Sequence, residues 1–188
     1  MKSRTFQQSL QHGMVGESFI ARWLISRGDI ILPAYEKIFD TGKGPQLFAK
    51  GRKLIAPDLL SINPARSAMP TVWFECKTKS VFSWYRMGQS WVTGIDLRHY
   101  EDYLAVRDIT HMPVFLLFLH TSPVPDRKDL PYCGQRKCPT GLFGGNIDRL
   151  MQQESHRSDR WGRTGMVYWA LPTLKFYAPL PPEFQASA

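Results

Sequence analysis

The feature that most limits how this chain can fold is a pair of apolar runs that each carry charged residues. The first run, 54–62, holds Asp58 among leucines and isoleucines, and the second, 71–77, holds Glu75 and Lys77. β-Branched and aromatic residues without a helical gap are typical of buried strands. A buried charge that lacks a partner is costly. The sequence therefore predicts two buried strands whose carboxylates are paired, metal-bound or neutralised.

Side-chain alternation along a strand predicts that Glu75 and Lys77 share one face, while Phe74 and Cys76 share the other. The simplest interpretation is a salt bridge between Lys77 and one of the two acids. The alternative is a divalent-cation site, because Mg²⁺ prefers carboxylate and carbonyl oxygens. Asp58, Glu75 and the main-chain carbonyl of Cys76 supply such oxygens.

Upstream of these runs, residues 5–27 have apolar side chains at the three-, four- and seven-residue intervals of a helix that ends at Gly28. Glu17 falls on the inward face of this helix, where it either pairs with an arginine or contributes to a metal site. Gly13 and Gly16 lower the helix propensity, which indicates close approach of another backbone or of DNA.

Three motifs together resemble the PD-(D/E)xK nuclease superfamily, and within it the Holliday junction resolvase-like branch. They are the helix segment 13–17 ending in Glu17, then Pro57-Asp58, then Glu75-Cys76-Lys77, in the order found in that family. The resemblance covers roughly residues 10–120 and leaves the last third of the chain without a matched motif.

The resemblance implies a Mg²⁺- or Mn²⁺-dependent deoxyribonuclease acting on branched or recombination and repair intermediates. Asp58, Glu75 and the Cys76 carbonyl would bind the metal, and Glu17 would ligate it or orient a nearby water. Lys77 would position and help deprotonate the attacking water. Resolvase-like members are usually dimers, so a homodimer is an expectation for this chain.

The expected architecture is a single α/β domain, residues 1–188, with a central mixed β-sheet flanked by helices, similar to restriction endonucleases. A loop-rich insertion is expected at about 121–165, where proline, glycine and charged residues accumulate. The remaining predicted elements are strands near 30 and at 54–62, 71–79, 113–119, 166–170 and 174–177, and helices at 5–27, 95–107 and 146–155.

The formal net charge of +8 predicts a positive surface that attracts polyanions, with DNA as the first candidate. In the segment 81–91, which is predicted to be a long loop, aromatic and cationic residues alternate in a way that suits unpaired bases, although packing over the sheet is the competing interpretation. The predicted nucleic-acid-binding residues are Lys50, Arg52, Lys53, Lys79, Trp84, Tyr85, Arg86, Arg157, Arg160 and Arg163.

Cysteine usage and hydropathy predict a cytoplasmic protein. Three cysteines argue against a disulfide framework, and Cys133 and Cys138 resemble half of a zinc knuckle whose second half is missing. The N-terminus has no apolar export segment, and the longest apolar run, 114–119, is too short to span a bilayer.

Two alternatives to a nuclease stay open at this point. The first is a nucleic-acid-binding module that keeps the same fold without cutting. The second is a basic structural protein in which Asp58 and Lys77 form a buried ion pair.

Overall fold

A six-stranded mixed β-sheet organises the fold. The computed structural model describes residues 6–34, 45–49, 51–162 and 164–185. The helices are α1 Phe6–Ile25, α2 Leu97–Thr110, α3 Leu130–Cys133, α4 Ile147–Gln152 and α5 Pro182–Gln185, with a 3₁₀ turn at Leu171–Thr173. The strands are β1 Ile30–Pro33, β2 Gln46–Ala49, β3 Arg52–Ile55, β4 Leu59–Ile62, β5 Thr71–Lys79, β6 Ser83–Tyr85, β7 Ser90–Asp96, β8 Val114–His120, β9 Gly141–Asn146, β10 His156–Ser158, β11 Met166–Ala170 and β12 Lys175–Ala178.

The main sheet has the strand order β1-β4-β5-β8-β9-β12. Strands β5 and β8 run parallel, whereas the other neighbours are antiparallel. The parallel pair requires a crossover, which the chain makes through β6, β7 and α2. The predicted α/β architecture with a central mixed sheet flanked by helices is confirmed.

Side-chain alternation on β5 divides the core into two hydrophobic clusters, one on each face of the sheet. Phe74 and Cys76 pack with Ile20 and Leu24 of α1. Trp73, on the other face, belongs to the second cluster, here called the α2 cluster because it contains the buried residues of α2, among them Tyr103. Burial of large apolar side chains on both faces fixes the register, because a shift of one residue would move Glu75 and Lys77 into the α1 cluster.

Two smaller sheets complete the structure. One has the order β10-β11-β7-β6, and the other is the hairpin β2–β3. Segment 81–91, predicted to be a long loop, therefore forms much of the hairpin β6–β7 instead. Trp84 and Trp91 pair across this hairpin in an edge-to-face arrangement with ring centroids 5.0 Å apart.

The prediction of one continuous strand over 54–62 is wrong. The chain leaves β3 after Ile55, passes through Ala56-Pro57-Asp58 and enters β4 at Leu59. Pro57 has no N–H to donate to a sheet, which favours a break between strands. Strand β3 pairs with β2 and β4 pairs with β1 and β5, so the chain changes sheets at this break.

Two further boundaries need correction. Helix α2 begins at Leu97, later than predicted, because residue 95 and Asp96 belong to β7 and the Asp96 side chain caps the helix by accepting the Arg98 N–H. The loop-rich insertion predicted at about 121–165 contains β9, α4 and β10, and β9 is an internal strand of the main sheet. The irregular part of that region is concentrated before Gly141, on either side of the short helix α3.

Among the described residues, no helix combines the length and the hydropathy that crossing a bilayer requires.

Helix α1 lies so close to β5 that only glycine fits at position 16. A Cβ atom placed on Gly16 would lie 1.7 Å from the Thr78 hydroxyl oxygen and 2.8 Å from the Thr78 Cβ. The close approach that the glycines predict is therefore made by strand β5. The corresponding Cβ on Gly13 would meet no described atom within 4 Å.

We predict that Gly16→Ala destabilises the protein, because a Cβ at this position displaces α1 from β5, whereas Gly13→Ala is neutral or stabilising by about 0.5–1 kcal/mol through helix propensity. Urea unfolding of both variants measures the difference. Adding Thr78→Ala to Gly16→Ala should recover part of the loss. Equal stability of the two single variants would contradict the close packing of α1 on β5.

Candidate functional site

The pairing of β4 with β5 brings the two predicted carboxylates together. The last paired residues in this register are Leu59 and Phe74. One step beyond them, the same antiparallel register sets Asp58 opposite Glu75, and directly opposed residues have Cβ atoms about 4.5–5.5 Å apart. Asp58 and Glu75, which are far apart in the sequence, are therefore neighbours at the N-terminal end of β4.

The Asp58 side chain is held at this position by a hydrogen bond from the main chain of β5. Its Oδ2 accepts the N–H of Cys76 at 2.9 Å. Pairing between β4 and β5 has already ended there, so this N–H has no β4 carbonyl opposite it. Burial, followed by repulsion from Glu75, raises the pKa of Asp58 from 3.8 to about 7. The two carboxylates thus repel each other, as expected of a site that binds a cation or a proton.

Glu75 is the most enclosed charged group of the site, with 1% of its surface exposed. Lys77 Nζ contacts Glu75 Oε1 as an ion pair, and the Lys77 side chain is 33% exposed. Both carboxylate oxygens of Glu75 are buried. Burial opposes the charge of Lys77, but the negative charges of Glu75 and Asp58 outweigh it and raise the pKa of the ammonium group.

Helix α2 supplies two aromatic residues to the site that sequence reasoning missed. Tyr103 lies against the carboxylates: its own burial, followed by the charges of Glu75 and Asp58, raises the pKa of its hydroxyl. One helical turn earlier, burial and then Lys77 lower the pKa of His99. His99 and Tyr103 are four residues apart and therefore lie on one face of the helix. In the sequence, this pair of polar aromatic residues on an inward helix face was the feature that could have indicated their place in the site.

Glu17 approaches β5 from the α1 side. Burial and then the charges of Asp58, Glu75 and Glu17 raise the pKa of the Cys76 thiol. The Cys76 side chain belongs to the α1 cluster, on the face opposite Glu75 and Lys77. The predicted roles of Glu17 and of the Cys76 carbonyl at a metal stay predictions.

The donor set fits a hard divalent cation of the Mg²⁺ type. In the described part of the chain, no group of three or more His, Cys, Asp or Glu side chains could hold a metal ion. Mg²⁺, however, is commonly bound through one or two carboxylates, with waters and substrate phosphate completing its shell. Asp58 and Glu75 supply two carboxylates, and both oxygens of Glu75 are buried.

The predicted cations near the site differ in their exposure to solvent. Arg52 and Lys53 are exposed on the β2–β3 hairpin, which leads within a few residues to Asp58. Lys79 is partly buried at the end of β5, and burial together with the charge of Lys77 lowers its pKa to about 8. Lys50 falls outside the described residues.

The other predicted nucleic-acid-binding residues belong to the four-stranded sheet β10-β11-β7-β6, called the second sheet from here on, and to its flanking turns. Arg86, Arg157 and Arg160 are exposed, and Tyr85 is half-buried. Trp84 is 6% exposed and packs on Trp91, so its ring is part of the core rather than a free stacking surface. Arg163 lies outside the described residues.

Cys133 and Cys138 are buried in the α2 cluster as free thiols. Cys138 Sγ accepts the Phe82 N–H at 3.3 Å, which gives this sulfur a structural partner. In the described part of the chain, no set of ligands for a metal forms around either thiol.

Comparison with known proteins gives a structural similarity. No protein-family model matches the sequence, and no curated protein matches it. Among solved structures, the chain is similar to Archaeoglobus fulgidus Hjc, a Holliday junction resolvase from an archaeal hyperthermophile, with a TM-score of 0.47 and 7% sequence identity. The alignment covers 86% of this chain and 90% of that chain.

We predict that Asp58→Asn stabilises the metal-free protein at pH 8 by roughly 1–3 kcal/mol. Folding raises the pKa of Asp58 from 3.8 to about 7, so ionisation costs stability as pH rises across this interval, and the full cost applies above it. The amide oxygen can still accept the Cys76 N–H. Urea unfolding in EDTA at pH 8 and pH 5 should show a gain that shrinks at the lower pH.

Glu101→Gln is the matched control, because Glu101 is an exposed carboxylate on α2. Its stability should change little at either pH. A destabilised Asp58→Asn protein at pH 8 would contradict the repulsion between Asp58 and Glu75.

Proposed function

We propose that this protein is a Mg²⁺- or Mn²⁺-dependent nuclease that hydrolyses phosphodiester bonds of branched or recombination and repair DNA. The observation that supports the proposal is the β4–β5 register, which sets Asp58 opposite Glu75 with Lys77 in contact with Glu75. Two carboxylates and a lysine in this order also match the PD-(D/E)xK pattern seen in the sequence.

Asp58 and Glu75 would hold the metal, with the Cys76 carbonyl and Glu17 as further candidates. A bound divalent cation supplies Lewis acidity and lowers the pKa of a bound water. Around it, the chain contributes a wall formed by Tyr103 and the buried strand β5, which keeps bulk water from the Glu75 side. Low exposure strengthens every charge interaction within this pocket.

Lys77 contributes positive charge next to both carboxylates. Its raised pKa keeps the ammonium group protonated at neutral pH in the metal-free state, so it acts as a cation and hydrogen-bond donor there. In the proposed reaction it orients the attacking water and stabilises the negative charge that develops on the phosphate. Lys77 could accept a proton from the attacking water only after the negative charges of Glu75 and Asp58 had been neutralised.

One observation favours a second candidate function. The direct contact of Lys77 with Glu75 satisfies both charges within the protein, as a structural ion pair would. A nucleic-acid-binding module with this fold and without cleavage is the function consistent with that contact. Metal binding at Asp58 and Glu75 decides between the two, because only a nuclease needs it.

We predict that Asp58→Asn and Glu75→Gln each abolish Mg²⁺-dependent cleavage and weaken Mn²⁺ binding, because each removes an anionic oxygen ligand. Lys77→Gln should retain or strengthen Mn²⁺ binding, since a cation beside the ligands is lost, yet reduce cleavage at least about a hundredfold. Isothermal titration with Mn²⁺ and cleavage of branched, duplex and single-stranded DNA measure these effects.

Glu101→Gln again serves as the control with unchanged cleavage. If the wild-type protein binds DNA but neither binds Mn²⁺ nor cuts any of these substrates, the non-cleaving module is correct. Similar losses of thermal stability in all three site variants would instead assign Asp58, Glu75 and Lys77 to a structural ion network.

DNA is the proposed partner, and the hairpin β2–β3 is the proposed contact with its backbone. Arg52 and Lys53 are exposed there, and Ile55, at the end of β3, donates its N–H to Asp102 of α2 at 3.2 Å. This bond fixes the hairpin beside the helix that carries Tyr103. A homodimer belongs to the same proposal, because cutting two strands of a junction calls for two active sites.

We predict that the double variant Arg52→Ala/Lys53→Ala weakens duplex DNA binding and reduces the slope of log K against log salt by about 2, as expected for two lost phosphate contacts. Fluorescence anisotropy at several salt concentrations measures the slope. Arg27→Ala/Lys175→Ala removes the same charge from exposed sites elsewhere and should leave the slope nearly unchanged. Identical slopes for the two double variants would remove the hairpin from the interface.

A further inference from the structure

The second sheet carries a concave groove of about 690 Å³ that the site at β4–β5 does not use. We call it the aromatic groove and define it by the rings of Tyr85, His156, Trp161 and Tyr168. These side chains come from β6, from β10, from the turn after β10 and from β11.

Three of the rings form a continuous stack. The His156 ring lies 3.9 Å from that of Tyr85 and 4.6 Å from that of Tyr168, with interplanar angles of 12° and 7°. Strands β6 and β10 are the two opposite edges of this sheet, so the contact of Tyr85 with His156 requires the sheet to curve. Gly94 leaves room for the Tyr168 ring of this stack, because a Cβ there would lie 2.8 Å from that ring. The groove is therefore a preformed feature of the sheet.

Trp161 provides the accessible ring of the groove. Its side chain is 61% exposed, although burying an indole would be favourable. Lys128 lies over this ring, with Nζ 5.3 Å from the centroid. Nearby, the guanidinium of Arg86 lies 3.4 Å from the ring centroid of Tyr132. Two cations of the groove lining, Lys128 and Arg86, thus each lie over an aromatic ring.

The charge of the lining favours an anion. Four cations, Arg86, Lys128, Arg157 and Arg160, accompany two carboxylates, Asp129 and Asp159. One of these carboxylates is already used, because Asp129 is buried and accepts the main-chain N–H of Trp84 at 3.0 Å. Arg157 is paired with Glu154. Among the described residues, Arg86, Lys128 and Arg160 have no such carboxylate partner and are available to phosphates.

A ring face beside several cations matches the chemistry of an unpaired nucleotide strand, in which bases stack on aromatic side chains while phosphates meet Lys and Arg. Duplex DNA keeps its base faces inside its own stack and offers none to Trp161. Strand β5, which carries Glu75 and Lys77, continues after Lys79 into β6 of the groove. A nucleotide strand bound in the groove would therefore lie on the element that directly follows the site-bearing strand β5 in the chain.

We propose that the aromatic groove binds an unpaired nucleotide strand, so that DNA with a single-stranded segment is the preferred substrate. The binding part of this inference stands on the groove alone, whereas the substrate part rests on the proposed nuclease function.

The test uses the full chain in EDTA with a fluorescein-labelled oligo(dT) of twelve nucleotides and a duplex of the same length. Trp161→Ala should weaken oligo(dT) binding by about 5- to 100-fold, the usual scale for losing one base stack, and weaken duplex binding much less. Trp161→Tyr should keep most of the affinity, because it keeps a ring. Arg160→Ala should weaken oligo(dT) binding more than Lys175→Ala, which removes an exposed cation from β12.

Several outcomes separate this proposal from the proposed nuclease function. Asp58→Asn should bind oligo(dT) as wild type does, because the groove and the metal ligands are distinct residues. Groove-dependent binding without cleavage of any substrate would overturn the nuclease and support the groove. Equal losses on oligo(dT) and duplex, or losses no larger than that of Lys175→Ala, would overturn the groove. So would sedimentation showing that Trp161→Ala disrupts self-association while oligo(dT) affinity is unchanged.

Discussion

The buried carboxylate of Glu75 is the constraint on which the rest of the site depends. A carboxylate with 1% exposure cannot keep its charge without a cation close by, and Lys77 provides that cation from the same strand. Asp58 then brings a second negative charge to the same place. Burial, followed by repulsion from Glu75, raises the pKa of Asp58 to about 7. Three charges share a space that balances only one pair, so one negative charge is in excess when all three groups are ionised.

The surrounding fold maintains this imbalance by packing both faces of β5. On one face, α1 approaches within the reach of Thr78 because Gly16 has no side chain. On the other face, α2 places Tyr103 against the carboxylates. Neither helix can withdraw without exposing its hydrophobic cluster to water, so hydrophobic burial holds the acids at a distance that electrostatics alone would increase.

Apart from Lys77, the exposed cations proposed to contact nucleic acid lie on elements outside the main sheet. Arg52 and Lys53 lie on the β2–β3 hairpin, and the cations of the aromatic groove lie on the second sheet and its turns. Both elements are tied to the main sheet or to α2 through main-chain bonds and packing. In the proposed function, a polyanion bound on them would be oriented with respect to β5.

The sequence by itself determined the strand β5, its alternation, the helix α1 and the identities of Asp58, Glu75 and Lys77, because each depends on local pattern. It also indicated the close approach at Gly16, since two glycines in a helix are costly without a packing reason. Only the tertiary structure decided that Trp84 belongs to the core, that β9 is an internal strand and that Tyr103 meets Glu75. Those features arise from pairings between distant segments, and a local period carries no information about which strand or helix will lie beside it.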